Sequence, residues 1–148
     1  MMRFNLLRRI AIFLCFFVGI GAFATSPLLM LDPTGGLMMM TSLLPYMQVL
    51  PCADLFFQDF LLAGNALFVL NGLCQLVAAG LLLRRNGYGF LGVLLCGVIL
   101  MLWTGIQFIV FPLNVLTTLY FILGCMEVLT AVSLRHCERK KRKEGFVC

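Results

Sequence analysis

Residues 88–111 read YGFLGVLLCGVILMLWTGIQFIVF, a stretch that contains no Asp, Glu, Lys or Arg. Roughly 20 predominantly apolar residues are needed for a helix to cross the hydrocarbon core of a bilayer, so this stretch is long enough to span. It lacks the alternation of apolar and polar residues that is typical of a membrane β-barrel strand. Because backbone groups in lipid must hydrogen-bond internally, the stretch predicts a transmembrane helix.

Three further segments have the same apolar character. The first is interrupted near its end by Thr25, Ser26 and Pro27, and the second exceeds the length that a bilayer requires, which predicts tilt. The predicted spans are residues 10–31, 55–83, 88–111 and 113–134, and a basic tail follows at 135–148.

Composition supports one membrane domain. Hydrophobic residues make up 62% of the 148 residues and charged residues only 11%, whereas about a quarter of a soluble domain is charged. Short turns at residues 84–87 and 111–114 connect the last three segments, and short turns make neighbouring helices antiparallel. We therefore predict an all-α, antiparallel four-helix bundle that is integral to the membrane.

The connection between the first two spans is long and partly apolar. It opens with Asp32-Pro33-Thr34-Gly35-Gly36, a turn pattern in which Asp caps, Pro presets φ and Gly permits positive φ. Residues 37–50 follow and are apolar, but they are too short and too interrupted to span. We expect a re-entrant or interfacial segment on the outer face of the membrane.

The basic residues predict the orientation. All 11 Lys and Arg residues flank the spans on one side, at residues 3–9, 84–85 and 135–143, and the other side carries Asp32, Asp54 and Asp59. By the positive-inside rule both termini are cytoplasmic. The net charge of +5 therefore indicates membrane-facing charge and no nucleic-acid partner. Residues 1–24 also fit a cleavable signal peptide with Ala22-Phe23-Ala24 at its end, and this alternative stays open.

The cysteines and the single histidine give little support to catalysis. The seven cysteines contain no C-x-x-C pair, and His136 lies in the basic tail. Cysteine within a span most often acts as a small apolar residue. No nucleophile–base pattern, phosphate-binding loop or dinucleotide fingerprint is present. We predict that the protein is not an enzyme and uses no cofactor and no metal.

Each span carries one stripe of small and polar residues, which favours close helix packing and hydrogen bonds between helices. Glu127 is the only ionisable side chain deep in a span, and such a residue normally faces protein or water. Helical phase and depth predict an inner polar layer of Asn71, Gln75 and Glu127. Depth predicts an outer polar layer of Asn65, Trp103 and Gln107. The stripes are Cys15, Gly19, Ala22 and Ser26; Gly64, Asn71, Gln75, Ala78 and Leu82; Gly89, Gly92, Cys96, Trp103 and Gln107; and Tyr120, Gly124, Glu127, Ala131 and Leu134.

Several motifs carry a family resemblance: residues 58–64 (QDFLLAG), Asn71-Gly72, residues 103–107 (WTGIQ) and the turn at 32–36. With these motifs the chain resembles a group of small four-span bacterial membrane proteins without an assigned function. The resemblance implies the bacterial plasma membrane and no active site. In size and span number the chain is also similar to DoxX-like proteins and to small multidrug-resistance transporters. The latter carry their embedded Glu in the first helix, so its role is not transferred to Glu127.

Three functional hypotheses follow from these patterns. The first is a non-enzymatic structural or accessory subunit whose polar layers hold the fold or a partner. The second is a small proton-coupled transporter that uses Glu127. The third is a membrane redox accessory protein that uses cysteines. The expected partners are the lipid bilayer and either further copies of the chain or another membrane protein.

Overall fold

The structure is a computed structural model that describes residues 2–47, 59–112 and 114–144, and these residues form helices and turns without a strand. It contains four helices that are long and apolar enough to cross a membrane. The predicted all-α, four-helix membrane architecture is confirmed. The helices are α1 (Met2–Leu31), α2 (Leu61–Leu83), α3 (Gly89–Val110) and α4 (Val115–Glu144).

Helix α1 continues through the interruption that the sequence contains at residues 25–27. Pro27 lies inside the helix and has no backbone N–H to donate. The hydroxyl of Thr25 donates to the carbonyl of Gly21 over 2.9 Å, so it bonds within its own helix. Ala11, Cys15 and Val18 are fully buried. The first 24 residues therefore contribute core packing in the uncleaved chain.

Helix α2 changes its hydrogen-bond pattern in the middle. It is α-helical at Leu61–Ala66 and Cys74–Leu83, and Leu67–Leu73 between them is π-helical. A π segment widens the helix and displaces the helical phase, and such segments occur frequently at functional sites. Both buried residues of this segment, Asn71 and Gly72, lie beside each other in its last turn. The predicted start of this span, residues 55–58, lies outside the described residues.

Helix α4 differs from the predicted fourth span at both ends. It begins at Val115, because the side chain of Asn114 accepts a hydrogen bond from the backbone N–H of Thr117 over 2.7 Å and so caps the helix. Pro112 thus lies in the connection and outside the first turn. At the other end the helix extends to Glu144. Most of the predicted basic tail continues α4, and residues 145–148 lie outside the described residues.

The four helices form a ring in which each packs against two neighbours. α1 contacts α2 and α4, and α3 also contacts α2 and α4. α2 and α4 therefore lie diagonally across the bundle, as do α1 and α3. The core is lined largely by the predicted stripes: all four stripe residues of α1 and all five of α2 are buried. On α3 the buried positions Val93, Gly97, Leu100 and Thr104 replace part of the predicted stripe.

The segment after α1 folds back over one end of the bundle. Its described part consists of short helical turns at Gly36–Met38, Thr41–Leu43 and Leu44–Met47. Met38, Met40 and Leu43 pack against a cluster formed by Leu29 and Phe60. The backbone N–H of Phe60 donates to the carbonyl of Pro33 over 2.8 Å. Residues 48–50 of the predicted interfacial segment lie outside the described residues.

The outer surface of the helices is apolar along their length. Ile109 and Val115 are 85% and 88% exposed, and large apolar side chains are exposed on all four spans. Soluble monomers rarely expose such continuous apolar area. In a bilayer these side chains contact lipid and not water, so their exposure carries no free-energy cost. This surface therefore fits a multi-pass membrane protein.

Candidate functional site

The polar interior of the bundle is built around one side-chain pair. The amide Nε2 of Gln75 donates to the carboxyl Oε2 of Glu127 over 2.8 Å. Both side chains are 0% exposed. Gln75 belongs to α2 and Glu127 to α4, the two helices that lie diagonally in the ring. The bond therefore crosses the centre of the bundle.

Glycines bring the helices close together beside Glu127. A methyl group built on Gly97 of α3 would lie 2.9 Å from Cβ of Glu127 and 3.0 Å from the carbonyl oxygen of Gly124. A methyl group on Gly124 would in turn lie 2.9 Å from Cγ of Met101 and 3.2 Å from the carbonyl oxygen of Gly97. Small residues at such crossings let membrane helices approach backbone to backbone. The crossing of α3 and α4 thus fixes the depth and direction of Glu127.

Several buried polar atoms around this pair are without a hydrogen-bond partner among the described residues. They are Oε1 of Gln75, Oε1 of Glu127, and both Oδ1 and Nδ2 of Asn71, which is 1% exposed. Asn71 lies one turn before Gln75, at the end of the π segment. A buried polar group without a partner is costly and calls for an explanation such as a bound water or solute. Of the six polar side-chain atoms of Asn71, Gln75 and Glu127, only Nε2 of Gln75 and Oε2 of Glu127 are therefore hydrogen-bonded.

The chemistry of the pair depends on the protonation of Glu127. A charged carboxylate deep in a membrane is expensive, whereas a neutral carboxyl group is both a donor and an acceptor. In the neutral acid, Oε1 of Glu127 and Oε1 of Gln75 become a complementary donor and acceptor. Loss of the proton leaves two acceptors without a donor. The pair can therefore hold a proton and change its bonding when the proton leaves.

The described residues provide no metal centre of the usual kind. They contain no group of three or more His, Cys, Asp or Glu side chains that could hold a metal ion. Cys15, Cys74, Cys96, Cys125 and Cys137 are free thiols. The sulfur of Cys125 lies 4.0 Å from the sulfur of Met101, on the side of α4 that packs against α3.

The outer polar layer is only partly assembled. The carbonyl Oε1 of Gln107 accepts from the hydroxyl of Thr117 over 3.2 Å, across the turn between α3 and α4. Trp103 is half-buried, and the neighbouring Thr104 faces the core. Asn65 is exposed and donates to the carbonyl of Leu61 in its own helix over 2.9 Å.

The structure corrects the placement of Asn65 for a geometric reason. A methyl group on Gly64 would lie 3.0 Å from Cβ of Leu29, so Gly64 faces α1. The next residue, Asn65, points about 100° away from that direction and leaves the core. Depth alone predicted Asn65 for the outer layer, and Thr117 was not predicted. Thr117 could have been found from its position opposite Gln107 across the short turn.

Comparison with known proteins found no matching protein family, no matching curated protein and no matching solved structure. The resemblance to small four-span bacterial membrane proteins therefore stays a prediction.

Proposed function

We propose that this chain is a non-enzymatic, multi-pass membrane protein that acts as a structural or accessory subunit. The observation that carries the proposal is the buried hydrogen bond between Gln75 and Glu127. It ties together the two helices that share little backbone contact, and so it stabilises the ring as a whole. A fixed ring is what a partner protein or a second copy of the chain needs in order to dock reproducibly.

The composition of the interior supports a role without catalysis. The fully buried polar side chains are the amides of Asn71 and Gln75, the carboxyl of Glu127 and the hydroxyls of Ser26 and Thr104. The only histidine, His136, is exposed near the basic end of α4. The buried hydroxyl of Thr104 is bonded to the carbonyl of Leu100 in its own helix over 2.8 Å. The hydroxyl of Thr104 and the buried thiols of Cys15 and Cys96 are not hydrogen-bonded to Glu127, as an activated nucleophile beside its base would be.

The membrane and orientation belong to the same proposal. Arg8 and Arg9 near the start of α1, Arg84 and Arg85 after α2, and the basic residues late in α4 all lie at the same end of an up-and-down bundle. A cytoplasmic location of this end follows from the positive-inside rule. We propose the bacterial plasma membrane, with both termini in the cytoplasm.

Thermal unfolding of Glu127 variants in detergent tests the structural role. Glu127→Gln preserves the shape of the side chain and its capacity to accept from Gln75, so folding should be nearly unchanged between pH 5 and pH 8. Glu127→Leu removes the acceptor and should unfold more easily. If both variants melt like the parent, the pair does not hold the bundle and the proposal fails.

A second function, proton-coupled transport, is favoured by one specific observation. The unpaired polar atoms of Asn71, Gln75 and Glu127 could form hydrogen bonds with a water or a small solute, or accept a proton. Glu127 would then carry the proton. In proteoliposomes with an internal pH-sensitive dye, a transporter would show proton flux that Glu127→Gln abolishes while the variant remains folded. Equal flux in the parent, Glu127→Gln and empty vesicles would exclude this second function.

A further inference from the structure

A cleft opens at the basic end of the bundle, between the start of α1, the turn after α2 and the end of the membrane-crossing part of α4. Its inner part is a small cavity of about 30 Å³, and its outer part is an open cleft of about 860 Å³. Phe4, Phe90 and Glu138 line both parts. Because the cleft lies at the ends of the apolar spans, we expect it at the depth of the headgroup layer.

Arginines from three elements converge on this cleft. Arg8 of α1 and Arg85 of the turn line the inner part, and Arg135 and Arg139 of α4 line the outer part. Glu138 is the only acidic residue among the lining residues, so the lining is strongly positive. The Nε atom of Arg8 is buried and without a hydrogen-bond partner among the described residues. This atom is a donor that an anionic ligand in the inner part would satisfy.

The backbone at Arg85 is unusual for a residue with a side chain. α2 ends in a Schellman motif, in which the N–H of Asn86 donates to the carbonyl of Leu81 and the N–H of Arg85 to that of Leu82. The residue in the left-handed position of this motif is usually glycine, and here it is Arg85, with φ of 54°. Strained positions of this kind cluster at ligand-binding sites. A glycine would fit this position of the turn with less strain.

Aromatic rings form the walls around these cations. The guanidinium carbon of Arg135 lies 5.7 Å from the ring centroid of Phe90, within cation–π range. Tyr88 lines the outer part and is exposed, as is typical of aromatic residues at a membrane interface. A ligand here meets guanidinium groups and aromatic rings together, which suits a phospholipid at its headgroup and glycerol region.

We propose that this cleft binds the phosphate of an anionic phospholipid headgroup, with Arg8 and Arg85 as its inner contacts. Guanidinium groups bind phosphate oxygens through short, charge-assisted and often paired hydrogen bonds. Basic pockets between spanning helices are suited to anionic headgroups. The site is separate from the Gln75–Glu127 pair and does not depend on the function proposed above.

Native mass spectrometry of the full-length chain in a neutral detergent, with added phosphatidylglycerol, tests the proposal. Arg85→Gly removes the cation and relieves the left-handed backbone, so it should fold at least as well as the parent. Its affinity for phosphatidylglycerol should be about tenfold lower, as expected for the loss of hydrogen bonds to a charged group. The matched control is Arg84→Gln, which removes the same charge from the same turn at a residue outside the cleft. Its affinity should stay within about twofold of the parent.

Two further probes identify the source of the phosphate. Phosphatidylcholine should bind the parent more weakly than phosphatidylglycerol, because it carries no net charge. Inorganic phosphate at the same concentration should neither bind measurably nor displace the lipid. Equal loss of affinity in Arg84→Gln and Arg85→Gly would overturn the proposal, because the attraction would then be a general effect of charge. Equal binding of phosphatidylcholine, or displacement by inorganic phosphate, would also overturn the assignment to an anionic lipid.

Discussion

Gln75 and Glu127 meet at the centre of the bundle, where the amide of Gln75 donates to the carboxyl group of Glu127 over 2.8 Å. Their helices are diagonal members of the ring, so this bond spans the bundle and does not merely reinforce an existing backbone contact. Glycines at the crossing of α3 and α4 hold Glu127 at the depth of Gln75. Removal of either partner should therefore weaken the packing of all four helices.

The first prediction concerns Glu127. Glu127→Leu strands the amide of Gln75 in an apolar core, and we expect the free energy of unfolding to fall by about 1–2 kcal/mol. Glu127→Gln retains an acceptor for that amide and should unfold within experimental error of the parent. Chemical denaturation in mixed micelles measures both values. A loss in Glu127→Gln as large as that in Glu127→Leu would show that the carboxyl group itself, and not the shape and bonding of the side chain, stabilises the fold.

The second prediction concerns Gly97. In Gly97→Ala the new methyl group meets Cβ of Glu127 at 2.9 Å, so α3 and α4 must separate. Overpacking of this kind typically costs about 1–3 kcal/mol. Gly105→Ala is the matched control in the same helix, because nothing lies within 4 Å of its new methyl group. We expect Gly105→Ala to be neutral or slightly stabilising, since alanine favours a helix interior. Equal losses in the two variants would argue against the close crossing.

The third prediction concerns the turn after α1 and its dependence on pH. Hydrogen bonds from the hydroxyl of Thr34 and from the backbone of Leu37 hold the pKa of Asp32 below its ordinary value of 3.8. Because the folded pKa is depressed, the stabilisation is complete above pH 3.8 and is lost as the pH falls through the folded pKa. Limited proteolysis of residues 33–47 should therefore accelerate in strong acid, measured with an acid-stable protease. Asp32→Asn should show rapid cleavage at pH 5 as well, and parent-like protection of this variant would contradict the role of the carboxylate.

The fourth prediction concerns the orientation of the chain. Cys52, outside the described residues, should react with a membrane-impermeant thiol reagent in intact cells. Cys137 and Cys148 should react only after lysis, because the basic end of the bundle is expected in the cytoplasm. Single-cysteine variants separate the three signals. Labelling of Cys137 from outside intact cells would contradict the predicted orientation.

The spans and the inner polar pair could be predicted from the sequence because they depend on hydropathy and helical periodicity. Hydropathy locates the four helices, since lipid requires long apolar runs. Helical phase and depth bring Gln75 and Glu127 to the same level, and the structure joins them by a hydrogen bond. That this pair serves as a site of function stays a prediction.

Other features depend on tertiary structure and could not be predicted from the sequence. The π segment at Leu67–Leu73 shifts the helical phase of α2, and no local residue pattern predicts it. Asn71 lies at the predicted depth, yet neither polar atom of its side chain bonds to Gln75 or Glu127. On α3, the choice of Thr104 over Trp103 for the core follows from the close crossing at Gly97, where packing sets the rotation of the helix. The positive φ of Arg85 appears only in the folded turn.

The most direct test of the diagonal bond is an exchange of its two partners. Gln75→Glu alone places two carboxyl groups face to face and should lower the free energy of unfolding, whereas Glu127→Gln alone should be nearly neutral. The double variant Gln75→Glu/Glu127→Gln restores one acid and one amide, and its stability should return to that of the parent, with a coupling energy of about 1–2 kcal/mol. If the double variant is as unstable as the sum of the two single changes, the side chains of Gln75 and Glu127 do not interact and the account of the bundle core is contradicted.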